Sequence, residues 1–211
     1  MLKIRRVLKE EVATLIPYHY LVDQSKGFRS GFNYGVGSDN ELQAVCIFHN
    51  PSVPEVVQGC FGLDRAEQNG IFELGRLIKN PSTNKDFILS KFVATAMKQL
   101  RQDTEVKAIL SYADSRYHSG YIYQALNFKY YGLTTQKSDF WFECEDGNYI
   151  KHTRGPVKDA KGEWRLRPRK HRYLLVYDKE LKVRWVEQKY PKGDNTNYKT
   201  NRNNYGDTAW S

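Results

Sequence analysis

Cysteine is scarce in this 211-residue chain. There are three, Cys46, Cys60 and Cys144, and no two of them stand at metal-ligand spacing. That excludes a zinc knuckle and leaves no even set for a disulfide framework. Scattered thiols in apolar contexts read as reduced core residues of a cytoplasmic protein. Long apolar runs are missing too: the first residues, MLKIRRVLKEE, are charged, and the chain reads as having neither signal peptide nor membrane span. No segment repeats, which sets aside solenoids and propellers. Acid is in short supply, with 24 Asp and Glu against 33 Lys and Arg, a formal net charge of +9.

Aromatic residues are plentiful, at 14%. A basic excess interleaved with aromatics suits a polyanionic partner, nucleic acid first, because phosphates take the cations and bases stack on the rings. An apolar fraction of 40% is enough for a core, and the length fits one domain with an extension.

Periodicity orders the elements. Residues 2–8 read as a strand and 9–21 as a helix interrupted at Pro17. FNYGV and LQAVCIF read as strands joined by a hairpin-like turn at GSDNE, and PEVVQGCFG as a further short strand. GIFELGRLIKN (70–80) is a clear strand closed by Pro81. Within 86–103, Ile88, Phe92, Ala96 and Leu100 recur every four residues, with Leu89, Val93 and Met97 beside them, the pattern of an amphipathic helix. VKAILSYAD (106–114) reads as a buried strand and SGYIYQALNF (119–128) as a short helix capped by Ser119. YYGLTT, SDFWFEC, YLLVYD and VRWVEQ read as strands. The predicted class is α/β, a mixed and mainly antiparallel sheet with flanking helices. The expected division is a main domain over 1–145, a basic strand-rich extension over 146–190 packed on it, and a polar tail over 191–211.

Arg76 stands in an otherwise apolar strand, and alternation puts it on one face with Phe72, Leu74 and Ile78. A buried charge left unpaired costs about 3–5 kcal/mol, and Asp114, at the end of the neighbouring strand, is its natural partner. The pair is either structural or a device that orients a substrate where the strands part. Asp114 has the chemistry of a general base, a hydrogen-bond acceptor to an amine, a metal ligand or a loop cap. His118 lies in the following loop, with a titration range suited to proton transfer. The stretch from Lys151 to Arg172 carries Arg154, Arg165, Arg167, Arg169, Lys170 and Arg172 around Trp164. It reads as a surface for phosphates, or else as a solvated edge hairpin.

The order of elements resembles the GCN5-related N-acetyltransferase fold. IYQALNFKYYG (122–132) is similar to that fold's short helix beside the thioester, where a Tyr serves as acid for the leaving thiolate. Tyr123 takes that place, and Asn127 stands where many members have Gly. FELGRL followed by SYADSRYHSGYIYQALNF resembles the phage Mom family of DNA-modifying enzymes more closely. The matching residues are Glu73, Leu74 and Arg76, then Ser111, Tyr112, Ala113 and Asp114, then Gly120, Ile122, Tyr123 and Phe128. HY at 19–20, FNYGV at 32–36, RPRKHRYLLVYD and YPKGDN extend the likeness over residues 15–195.

The resemblance implies a phage-encoded transferase of the host bacterial cytoplasm. Such an enzyme places a methylcarbamoyl-type group on the exocyclic amine of adenine in double-stranded DNA and shields it from restriction. Under that reading Asp114, Arg76, Tyr123 and Ser111 are the catalytic candidates. His19, Tyr20, Tyr34 and His118, with Arg165, Arg167, Arg169, Lys170 and Arg172, are candidates for substrate and DNA. Tyr34 would stack on a base extruded from the duplex. The implied donor is acetyl-coenzyme A or a related thioester, with Asn84, Lys85 and Lys91 near the start of the long helix as phosphate contacts. That stretch, NPSTNKDFILSK, lacks the glycines of the usual pyrophosphate loop. The association of some relatives with iron makes His19 and Asp114 candidate ligands. Two other readings stand beside this one: an N-acetyltransferase for a small amine or a modified base, and a non-catalytic DNA-binding antirestriction protein.

Overall fold

The computed structural model describes residues 4–19, 28–38, 41–152, 155–157 and 160–192. β1 (Ile4–Arg6), β2 (Phe32–Gly37), β3 (Leu42–His49) and β4 (Ile71–Lys79) form an antiparallel run. β5 (Ala108–Asp114) joins β4 in parallel, the crossover being made by α3 (Leu89–Asp103). β10 (Lys170–Val176) then lies antiparallel between β5 and β6 (Lys129–Leu133). The α/β class with a mixed sheet and flanking helices is therefore present as expected.

The helix period in 86–103 is that of a real amphipathic helix: Phe92, Val93, Ala96, Met97 and Leu100 are buried. They pack with Phe72, Leu74, Ile109, Phe128 and Tyr173 on one face of the sheet, which α4 (Tyr121–Ala125) also covers. The other face is covered by α1 (Lys9–Ala13) with a 3-10 turn (Ile16–Tyr18) over Val45, Ile47 and Ile78, and by α2 (Pro54–Phe61) over Ile71, Ala108 and Leu110. β7 (Lys137–Glu143), β8 (Tyr149–Lys151) and β9 (Gly162–Arg167) make a separate sheet in the order β8-β7-β9, inserted in the chain between β6 and β10. Among the described residues no helix is long and apolar enough to cross a membrane.

Several expectations need correction. PEVVQGCFG is helix, not strand: Pro54 starts α2, Gly62 ends it in the left-handed region at φ 78°, and Val57, Cys60 and Phe61 bury one stripe. The long helix begins at Leu89 rather than 86, because the Asn84 Oδ1 accepts from the Asp86 amide (3.0 Å) and turns the chain first. Ser119 does not cap α4. That place belongs to Gly120 at φ 81°, where a Cβ would meet the Tyr173 ring at 2.5 Å. VRWVEQ is not a strand; the chain there makes only an isolated bridge, Gln188 to Tyr130. The division at residue 145 is also not how the sheets divide, since β10 lies inside the main one. The 193–211 tail, Tyr20 and Arg154 lie outside the described residues.

The site depends on a register break in β4. Ile47 pairs with Arg76 but Phe48 pairs with Leu74, so Gly75 is an extra residue, a β-bulge. Before it, Phe72 and Leu74 face α3; after it, Leu77 does, and Ile78 joins the opposite core. Arg76 consequently shares a face with Ile78 and not with Phe72 and Leu74, against the simple alternation. The parallel pairing of β4 and β5 ends at Leu74 and Ser111, and beyond that point the strands part.

A Cβ on Gly75 would lie 2.1 Å from His49 Nε2. We predict that Gly75→Ala lowers stability by about 1–3 kcal/mol through overpacking. Adding His49→Ala to the same chain recovers most of the loss. Urea unfolding of the two variants checks both statements, and an unchanged midpoint for Gly75→Ala would refute the close packing.

Candidate active site

Where β4 and β5 part, a cavity of about 660 Å³ opens between the strands, the 3-10 turn, α4 and the start of α3. His19, Arg76, Asp114, His118, Tyr123 and Lys170 all line it. Six residues singled out in the sequence thus lie around one cavity, though not with the partners expected for them.

Asp114 is buried at the end of β5, and Arg116, two residues on, holds it. Its Oδ1 accepts from the Arg116 amide (3.0 Å) and Nε (3.2 Å), and its Oδ2 from Nη2 (3.1 Å). The expected Arg76–Asp114 pair does not form. A partner two residues away closes a local turn at little entropic cost, whereas Arg76 lies across the opened strands. Arg116 went unnoticed in the sequence, although an Asp followed two residues later by a donor is a recognisable turn signal. Arg76 Nη1 instead donates to the Gly75 carbonyl (2.8 Å), and its buried Nε has no partner among the described residues.

His19 caps the 3-10 turn and is buried. Desolvation, then the nearby Arg76 cation and His118, push its imidazole down to about 3, so the ring is neutral at pH 7. Burial also lowers His118, with Asp114 opposing the shift and His171 adding to it. The Tyr123 hydroxyl reaches the Tyr112 carbonyl (3.4 Å), and its ring packs 5.1 Å from Tyr173 and 5.8 Å from Phe128. Asn127, just beyond α4, takes φ 62°, the left-handed geometry that Asn tolerates.

Other expected residues lie elsewhere. Ser111 is fully buried, and its Oγ donates to the Leu74 carbonyl (2.9 Å), closing the last paired position of β4 and β5 rather than lining the cavity. Tyr34 cannot stack on a base: it is wholly buried, with its hydroxyl donating to Asp103 Oδ2 (2.7 Å). Arg165 pairs with Glu163 (2.5 Å) and lies 4.4 Å over the Tyr149 ring. Arg167 is bound to Asp139, and Arg169 Nε donates to the Thr134 carbonyl (2.7 Å). Arg172 donates to the Tyr131 carbonyl (2.7 Å) under the Trp185 ring. The strand pairing that made a basic run also set acids beside it, since Asp139 lies opposite Arg165. Among the described residues of that run Lys170 alone lines the cavity, opposite Asp114 in the β5–β10 register.

The stretch before α3 does not fit the diphosphate of a coenzyme A thioester. Its amides at Ser82, Thr83, Asp86 and Phe87 are bonded to Asn80 and Asn84, and no glycine opens a cradle. None of Asn84, Lys85 and Lys91 lines the cavity. Among the described residues no group of three or more His, Cys, Asp or Glu is arranged to hold a metal ion, so His19 and Asp114 gain no further ligand for iron.

A family model described as the Mom protein family matches residues 1–192. No curated protein matches the sequence. Among solved structures the chain is similar to a Bacillus subtilis acetyltransferase in complex with CoA, at 14% identity over 84% of this chain and 99% of that one, with a TM-score of 0.47. It is similar to the Escherichia coli ribosomal-protein-S18-alanine N-acetyltransferase at 9% identity over 84% and 95% of the two chains, TM-score 0.48. A Brucella melitensis ribosomal-protein-alanine N-acetyltransferase stands at 9% identity over 83% and 99%, TM-score 0.48. Likeness this distant assigns no role to any residue.

Burial of neutral His19 has a pH consequence. Its folded-state pKa is depressed to about 3, below the ordinary value of 6.5, so the unfolded chain takes up this proton first as pH falls. Stability is full above 6.5 and is lost towards 3, by up to about 1.4 kcal/mol per pH unit. We predict that His19→Gln flattens this dependence between pH 6.5 and 4 in chemical unfolding; an equally steep curve in the variant would contradict it.

Proposed function

We propose, on the premise that the chain belongs to the Mom protein family, that it is a DNA-modifying transferase. It places an acyl-derived, methylcarbamoyl-type group on the exocyclic amine of adenine in double-stranded phage DNA. It works in the host bacterial cytoplasm and protects that DNA from restriction. The observation that carries the reading is the Asp114 carboxylate, fixed by Arg116 in the wall of a cavity of about 660 Å³. That volume suits a single extruded base, and ligand pockets are typically about 300–1,000 Å³.

The exocyclic amine of adenine is unprotonated at neutral pH and a poor nucleophile. Asp114 orients it by accepting one of its hydrogens, and takes the proton as the new bond to nitrogen forms. Arg116 keeps the carboxylate oxygens in place during that transfer. His118, which also lines the cavity, then passes the proton on. The Tyr123 hydroxyl, on the α4 wall, supplies a proton to the leaving atom of the donor. Trp164, 65% exposed on β9, and the overall charge of +9 support contact with DNA outside the cavity.

Nucleoside mass spectrometry of plasmid DNA from cells expressing the chain tests the reading. A modified deoxyadenosine is expected with the intact protein. Asp114→Ala should reduce it by about 10²–10⁴-fold, the range of general acid–base contributions, and Tyr123→Phe by a smaller factor. Unmodified DNA from cells making folded protein would overturn adenine modification, and acetylated small amines in the same extracts would point to the small-molecule alternative.

A further inference from the structure

The charges in the cavity do not balance. Its carboxylates are Glu73 and Asp114, and its cations are Arg76, Lys79 and Lys170. Asp114 is already paired with Arg116, and Glu73 Oε2 accepts from the Ser52 amide (3.0 Å). The Lys79 ammonium lies 5.7 Å over the Phe87 ring. Arg76 and Lys170 remain, and among the described residues neither forms an ion pair. Among the described residues Arg76 bonds only the adjacent Gly75 carbonyl, and its buried Nε has no acceptor there. A buried guanidinium N–H without an acceptor is a costly arrangement unless something else fills it.

Both line the same cavity. The bulge at Gly75 turns Arg76 to the sheet face that carries Ile78, and Lys170 stands opposite Asp114 on β10. Desolvation lowers the Lys170 ammonium, with Arg76 among the cations pushing the same way and Asp114 and Glu73 opposing. Lys170 is exposed to solvent and also lines the cavity.

We infer that Arg76 and Lys170 form an anion clamp in this cavity, and that the ligand seated there carries an oxyanion, a carboxylate or a phosphate. A planar guanidinium and a point-charge ammonium complement each other for such a group. The clamp itself stands on the cavity's charges; the identity of its ligand rests on the function proposed above. Two sources fit that chemistry: the phosphate beside an extruded adenosine, or an acidic group on the donor of the transferred unit.

The first test is thermal unfolding of the full chain in inorganic phosphate, against chloride at equal ionic strength. A saturable rise in melting temperature is expected. It should vanish in Arg76→Met and in Lys170→Met and persist in Lys91→Met, whose side chain is exposed outside the cavity. Lys170→Met should melt no lower than the parent in chloride, so loss of folding does not confound it. Calorimetric titrations with deoxyadenosine, deoxyadenosine 5′-monophosphate and acetate then separate the sources. Nucleotide binding about tenfold or more tighter than nucleoside, with the gain lost in Lys170→Met, assigns the clamp to DNA phosphate. Saturable acetate binding displaced by phosphate, with no gain from nucleotide over nucleoside, assigns it to the donor. Phosphate binding without either adenine ligand leaves the clamp standing and removes the adenine reading. No saturable response to phosphate or acetate, or an undiminished response in the Arg76→Met/Lys170→Met double variant, overturns the clamp.

Discussion

The extra residue at Gly75 breaks the β3–β4 register at the place where β4 stops pairing with β5. One insertion does three things there. It lets two parallel strands separate, it inverts which side chains of β4 face which layer, and it brings an arginine into the space so created. A regular strand with the same composition would have turned Arg76 to the α3 face, among Phe72, Leu74 and Phe92. The glycine is needed because the His49 ring occupies the room a side chain would take.

Around that opening hydrogen-bonded contacts fix the groups, one of them local and two of them between distant segments. Arg116 orients Asp114 from two residues away. Tyr173 on β10 donates its hydroxyl to the Ser119 carbonyl and packs against Tyr123, so the turn into α4 is tied to the neighbouring strand. Ser111 closes the last rung before the strands diverge. Such preorganisation lets a cavity hold two imidazoles, two carboxylates and three cations without collapsing on itself.

Much of this was legible in the residues. The four-residue rhythm from Ile88 to Leu100 identified the long helix, and the polar corner at Asp114 to Tyr123 marked the rim of the cavity. The bulge was not legible, because an inserted glycine leaves the apolar pattern of β4 nearly intact while reversing its faces. α2 was misread because its eight residues span too few turns to display a helical period, although Pro54 and Gly62 bracketed it. The basic run misled for a related reason: sequence shows where cations lie, not the acids that strand pairing sets beside them. Asp139 takes both Lys151 and Arg167. Tyr34, suggested as a stacking surface, shows how an aromatic in a strand is more often core.

The position of β10 also bears on how the molecule is made. Its neighbours β5 and β6 are synthesised first, yet they meet only through it, and residues 134–169 come between. At about 5–20 residues per second, a ribosome leaves that seam open for about 2–7 s, with Leu110 on one lip and Tyr130 on the other. During that interval the nascent chain carries two unsatisfied strand edges, and the small β7–β8–β9 sheet is free to assemble before the main one closes. A chain cut short after β9 would therefore be left with a gap through its centre, not a missing tail, and the cell's proteases would meet it as an open sheet.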